Sequence, residues 1–180
     1  MKPSLLLLCA GLLTGCAAPY TNVRSFPASG LEVRAFVVIE QEPQTPFGFV
    51  DRSGRLQLIA TELNLLAQIF NVSVAPDGGF VAIESAGEGH PQLAIYRVSD
   101  LVRAGHGPSL PALAWLDPYP HVLDELRWVD AETLEFSAPL DFTRIDPDSR
   151  KAADPGENAP ARTWRWNVRT DGFTALPANR

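Results

Sequence analysis

An all-β fold, mainly antiparallel, is what this sequence predicts, and three observations carry the expectation. Residues Asn71 to Ser85, NVSVAPDGGFVAIES, set a period-two apolar run on either side of Pro76-Asp77-Gly78, which reads as strand, tight turn, strand. In RTWRWNVRTDGFTAL, Trp164, Trp166 and Val168 alternate with Thr163, Arg165, Asn167 and Arg169, so one face of that strand is buried and the other wet. The order strand, turn, strand, spacer, strand then occurs three times at a spacing of about 40–50 residues, the self-similarity of a repeated supersecondary unit.

The elements can be justified in order from the N-terminus. MKPSLLLLCAGLLTGCAAPY opens with the basic Lys2, continues with an apolar stretch from Leu5 to Leu13, and ends in small residues. That stretch is far shorter than the roughly 20 residues a spanning helix needs, so it reads as an export signal. Leu13-Thr14-Gly15-Cys16 resembles the lipobox of bacterial lipoproteins. The resemblance implies that residues 1–15 are a signal peptide, that Cys16 becomes the diacylated first residue of the mature chain, and that its new amino terminus is acylated too. By likeness to Gram-negative lipoproteins, the absence of Asp at position 17, which is Ala17, implies transfer to the outer membrane, facing the periplasm. Cys9 and Cys16 are the two cysteines, so the mature domain would hold no disulfide and must rely on its core. Residues 16–30, with Pro19 and Pro27, read as a lipidated flexible tether, and the folded domain is expected over 31–180.

From Leu31, LEVRAFVVIE and FGFVDRSGRLQLIA supply β-branched and aromatic runs, the second divided by a turn at Asp51-Arg52-Ser53-Gly54. In TELNLLAQIF, Leu63, Leu66, Ala67 and Phe70 fall at helical spacing, which allows one short helix near 61–69 and makes these residues core. After the Pro-Asp-Gly hairpin comes a Gly-rich turn at Gly87 to Gly89, and QLAIYRVSDL is expected as a third strand. LDELRWVDAETLEFSAPL repeats strand, turn at Asp130, strand. FTRIDPDSRKAADPGENAPAR lacks apolar periodicity, so 143–161 is expected as a long exposed loop before the final strand pair.

VSVAPDGGFVAIESAGEGHPQLAIYRVSDL resembles the TolB-like, WD40-like propeller repeat, whose pattern is Trp-Ser-Pro-Asp-Gly, an apolar strand, a Gly turn and an Ile-Tyr strand ending in an acidic turn. The likeness covers roughly 30 residues; Val74-Ala75 departs from the pattern, and the flanking units lack Pro-Asp-Gly. Pro76 presets the backbone for the second position of a turn, Asp77 can accept from the turn's amides, and Gly78 tolerates a positive φ. Closed propellers typically need four or more blades. About three blade-like units therefore imply an incomplete propeller or stacked, twisted sheets.

Chemistry is sparse. The 180 residues are 46% hydrophobic and 20% charged, with a formal net charge of −6 from scattered acids, which argues against nucleic acid as a partner. His90, His106 and His121 are too widely spaced for a standard metal pair, and no cysteine remains to help them, so neither metal nor cofactor is expected. No Gly-x-Ser-x-Gly elbow or phosphate loop occurs. Asp117, Asp124 and Glu125 could include a catalytic carboxylate pair, but solvated acids are the commoner explanation. LAWLDPYPHVLDELRW concentrates Trp115, Tyr119 and His121 between prolines, a candidate binding surface weighed against tryptophan that merely pins the connection to the sheet. The expected function is a lipid-anchored, non-catalytic β-sheet module binding an envelope protein or cell-wall polymer. The alternative is a small exported hydrolase with acids on the blade loops.

Overall fold

The computed structural model describes residues 22–28, 30, 32–40, 46–59, 68–87, 90–104, 110–156 and 158–177. Cys16, the expected signal peptide and residues 61–67 of the expected helix lie outside them. Three four-stranded antiparallel meanders follow one another along the described chain. The first is β1 (Val23–Pro27), β2 (Val33–Ile39), β3 (Phe47–Asp51) and β4 (Leu56–Ile59); the second is β5 (Gln68–Val74), β6 (Phe80–Gly87), β7 (His90–Arg97) and β8 (Ala114–Leu116). The third is β9 (Asp124–Trp128), β10 (Thr133–Ala138), β13 (Arg162–Asn167) and β14 (Gly172–Ala175), with a two-stranded ribbon, β11 (Asp141–Ile145) and β12 (Ala152–Ala153), inserted between β10 and β13. The all-β, antiparallel class is as expected, none of the sheets among the described residues closes into a barrel, and the three four-stranded sheets fall on the three stretches read as units in the sequence.

The sheets stack face to face, with the second in the middle. Val81, Ile83, Ala94 and Tyr96 of the second sheet pack with Phe36, Val38, Phe47 and Phe49 of the first. Their neighbours in the alternation, Ala82, Leu93 and Ile95, turn the other way and pack with Leu134, Phe136, Trp164 and Trp166 of the third. Period two in β6 and β7 thus fills two cores from one sheet, which is why those strands read as nearly continuous apolar runs. The first strands also run side by side, β1 against β5 and β5 against β9. Arg24 of β1 donates to the carbonyls of Ile69 and Phe70, the latter at 2.8 Å, and Trp128 Nε1 of β9 donates to the Ser73 carbonyl at 3.1 Å. These bonds cap main-chain acceptors on the open edge of β5, a device that blunts an edge strand.

The opening hairpin pairs β5 with β6. Gly78 has φ 74°, its N–H donates to the Ala75 carbonyl at 2.8 Å, and Asp77 Oδ1 accepts from the Gly79 N–H at 2.9 Å. A Cβ built on Gly30 would lie 3.2 Å from the Gly78 Cα, so two glycines let the first sheet's loop close on this turn.

Four expectations need correction. Residues 23–27 of the tether expected over 16–30 are not tether, because Val23–Pro27 is a strand paired along its length with β2 and packing Phe26 against the core. Gln68 to Phe70 belong to β5 rather than to a helix, and Phe70 is 46% exposed rather than core. The strand expected through QLAIYRVSDL stops at Arg97, and α1 (Val98–Ala104) follows. There Val98, Leu101 and Val102 fall at i, i+3, i+4 and pack on the first core, while Asp100 and Arg103 sit at the ends that suit the helix dipole. Finally, 143–161 is no plain loop: it contains the end of β11, a turn in which Arg150 N–H donates to the Asp146 carbonyl at 2.8 Å, and β12.

Candidate functional site

The connection from β8 to β9 carries the candidate surface, and the insert of the third sheet holds it in place. Past Leu116, the N–H of Asp117 donates to the Arg150 carbonyl at 3.1 Å and the two segments form a parallel bridge at Asp117 and Lys151. Asp117 also accepts the Tyr119 N–H at 3.0 Å and pairs with Lys151 Nζ at 3.5 Å. The Tyr119-Pro120 bond is cis, and the His121 N–H closes the turn on the Pro118 carbonyl at 2.9 Å. One short polar residue, Asp117, therefore sets both the turn and the cation beside it.

Tyr119 emerges from this turn 43% exposed. One side of its ring meets His90 at the start of β7, with centroids 4.3 Å apart and planes inclined by 33°. Lys151 Nζ lies 5.3 Å from its centroid, a cation held over an aromatic face. His121 is more buried; its Nε2 stands 3.7 Å from Asp154 Oδ1, beyond hydrogen-bond reach, and has no hydrogen-bond partner. The ring, the His90 imidazole and the Lys151 ammonium form an amphipathic patch that offers apolar contact area beside a cation.

Of the three residues singled out in sequence, Tyr119 forms this patch, His121 follows two residues on with its Nε2 buried beside Asp154, and Trp115 lies away from it. Trp115 packs partly buried against the core between the first and second sheets, and its carbonyl accepts Arg150 Nε at 3.0 Å. His90 and Lys151 were not foreseen as members. They lie about 30 residues on either side of Tyr119, and only the pairing of β7 with β8 and of Asp117 with Lys151 reveals them.

Next to the patch, the insert borders an open hollow of about 420 Å³ between Phe142, Ile145, Pro147 and Phe173. Its polar wall is a closed pair: Arg150 donates to both oxygens of Asp171 at 2.8 and 2.7 Å, and Asp171 Oδ1 also accepts Trp166 Nε1 at 2.9 Å. Both residues adopt positive φ, 54° and 55°. With three of its donors satisfied inside the protein, Arg150 staples the insert to the third sheet rather than offering charge to a ligand.

The carboxylates with shifted affinity for protons lie elsewhere. Glu135, 5% exposed, is held below the ordinary carboxylate range by hydrogen bonds from Arg127 and Arg165. Glu84 is pushed up, chiefly by burial and further by Asp124, although Asn71 Nδ2 donates to it at 2.6 Å. Asp117, Asp124 and Glu125 are divided between the connection and β9, and Glu84 rather than either partner is the acid that Asp124 perturbs. Among the described residues, no three His, Cys, Asp or Glu side chains group as a metal site would. Comparison with protein-family models, with curated proteins and with solved structures found no match.

Proposed function

We propose that this chain is a lipid-anchored protein of the cell envelope, held on the outer membrane facing the periplasm, whose three-sheet domain is a non-catalytic binding or assembly module. The partner is an envelope protein or the cell-wall polymer. The observation that carries the binding role is Tyr119, kept exposed between His90 and Lys151 on a connection fixed at Asp117. Exposed aromatic rings with few rotatable bonds contribute contact area at small entropic cost. Three meanders with their first strands side by side also support the TolB-like, WD40-like blade reading. The anchor rests on the lipobox resemblance of Leu13-Thr14-Gly15-Cys16.

A photo-cross-linking residue placed at Tyr119 in living cells tests the module. A discrete adduct at this position, absent when the same residue replaces Val129 at the far end of β9, is the expected result. Equal or no adducts at the two positions refute the binding role. Labelling with a palmitate analogue tests the anchor: wild type should take the label and Cys16→Ser should not.

A further inference from the structure

Among the described residues, the exposed large apolar side chains are not spread evenly over the domain. Val23, Phe70, Tyr119 and Val122 are 42%, 46%, 43% and 57% exposed, and strand directions bring all four to one end. Val23 opens β1, and the neighbouring Arg24 reaches the Phe70 carbonyl near the start of β5. Gln68 pairs with Ala86 and Gly87 with His90, so the start of β5, the end of β6 and the start of β7 share that end. His90 touches Tyr119 beyond the end of β8, and Val122 follows three residues later, just before β9. Leu113 and Val129, at 40% and 37%, lie at the opposite end.

The same end is where the chain enters from Cys16. Six residue-to-residue steps lead from Cys16 to Asn22. At about 3.3–3.6 Å each, they reach roughly 20 Å at most, less than the length of one of the longer strands with its turns. We infer that this end of the domain rests on the lipid surface, with Val23, Phe70 and Val122 meeting the headgroup and upper acyl region and Tyr119 left to the partner; the inference rests on acylation of Cys16. A tether so short cannot carry the opposite end to the bilayer without turning the whole domain over, whereas Val23, Phe70 and Val122 already stand exposed at the near end. Asp124, Glu125 and Asp154 are exposed in the same neighbourhood, so the surface that fits is zwitterionic rather than anionic.

The mature chain would carry no free thiol, so Val122→Cys and Val129→Cys each introduce a single labelling site of matched chemistry at opposite ends. The acylated full chain, labelled with an environment-sensitive fluorophore, is reconstituted in phosphatidylcholine vesicles containing spin-labelled lipid. Quenching at position 122 should exceed that at 129 by about twofold or more, as expected for a group about 5–10 Å into the boundary region. Phe70→Cys should follow position 122. Acylated protein whose two ends are quenched equally overturns this inference alone. Protein that carries no acyl chain by mass spectrometry overturns it together with the anchor.

Discussion

The first and third sheets flank the same central layer, yet their far faces are opposites. On the first sheet that face carries Ala35, Val37, Ile39, Val50, Leu56 and Leu58, with Val37 at 5% and Ile39 at 1% exposure. On the third it carries Arg127, Thr133, Glu135, Ser137, Thr163, Arg165 and Thr174, with Glu135 laid between its two arginines across three strands. Alternation explains both: each strand has one set of positions for the shared core, and only the other set is free to differ. The third sheet is thereby built as an outer wall facing water, and the first as a layer whose both faces are apolar. A ring made by laying one far face on the other would strip water from Arg127 and Arg165, a desolvation that their shared carboxylate would offset only in part. The stack is polar-capped at one end.

The sharpest test of the contrast removes a residue from the buried side of the third sheet. Trp166 is fully buried and Trp164 is 1% exposed, both facing the second core. Trp166→Ala should cost about 3–5 kcal/mol through the cavity it leaves. Arg165→Ala, one position along on the wet face, should cost far less, and denaturant unfolding of the two variants compares them directly. Equal losses would erase the distinction between the faces.

A charge introduced on the two far faces probes the same contrast from outside. Val37→Asp should destabilise by about 2–4 kcal/mol because a carboxylate there has no partner and little water. Thr163→Lys on the third sheet should stay within about 0.5 kcal/mol. Similar midpoints for the two variants would mean that the first sheet's far face is as wet as the third's.

How much of this was legible in sequence depends on whether a signal is local. The hairpin at Pro76-Asp77-Gly78 and the alternation of Trp164 and Trp166 carry their structure in adjacent residues, and both are found as read. Helix α1 was hidden because Val98 continues the apolar run of β7, and only Leu101 and Val102 beyond it reveal the change of period. The β11–β12 insert was hidden differently. Its anchor is Arg150 on Asp171 and on the Trp115 carbonyl, contacts spanning 21 and 35 residues, which no composition of Pro, Asp and Ala discloses. The candidate patch was half legible, since Tyr119 was singled out within its own segment while His90, at the start of β7, and Lys151, in the insert of the third sheet, come from distant parts of the chain.

Glu135 offers a smaller, pH-dependent test of the polar cap. Its carboxyl is held low by Arg127 and Arg165, so the folded state binds its proton less readily than the unfolded chain does. Stability from this cluster is present above the ordinary glutamate range and falls as pH drops through it toward the folded value. Glu135→Gln should cost about 1–2 kcal/mol at neutral pH and almost nothing in strong acid. Thermal melts of both proteins between neutral pH and pH about 3 would show the gap closing. A constant gap would mean that the arginines do not read the charge.

Glu84 should behave with the opposite sign and the smallest magnitude. It lies between the second and third sheets, where burial and Asp124 raise its proton affinity, and the amide of Asn71 donates to it at 2.6 Å. A carboxyl raised in the folded state favours folding while protonated, and that contribution is lost as pH rises through the folded value. Glu84→Gln keeps an oxygen for Asn71 but carries no charge to desolvate. At neutral pH the variant should therefore be more stable than wild type by about 0.5 kcal/mol, and the gain should vanish below the ordinary glutamate range. The polar contact survives in either form, so a loss of stability at neutral pH would show that the charge of Glu84 is compensated by the third sheet rather than merely tolerated beside it.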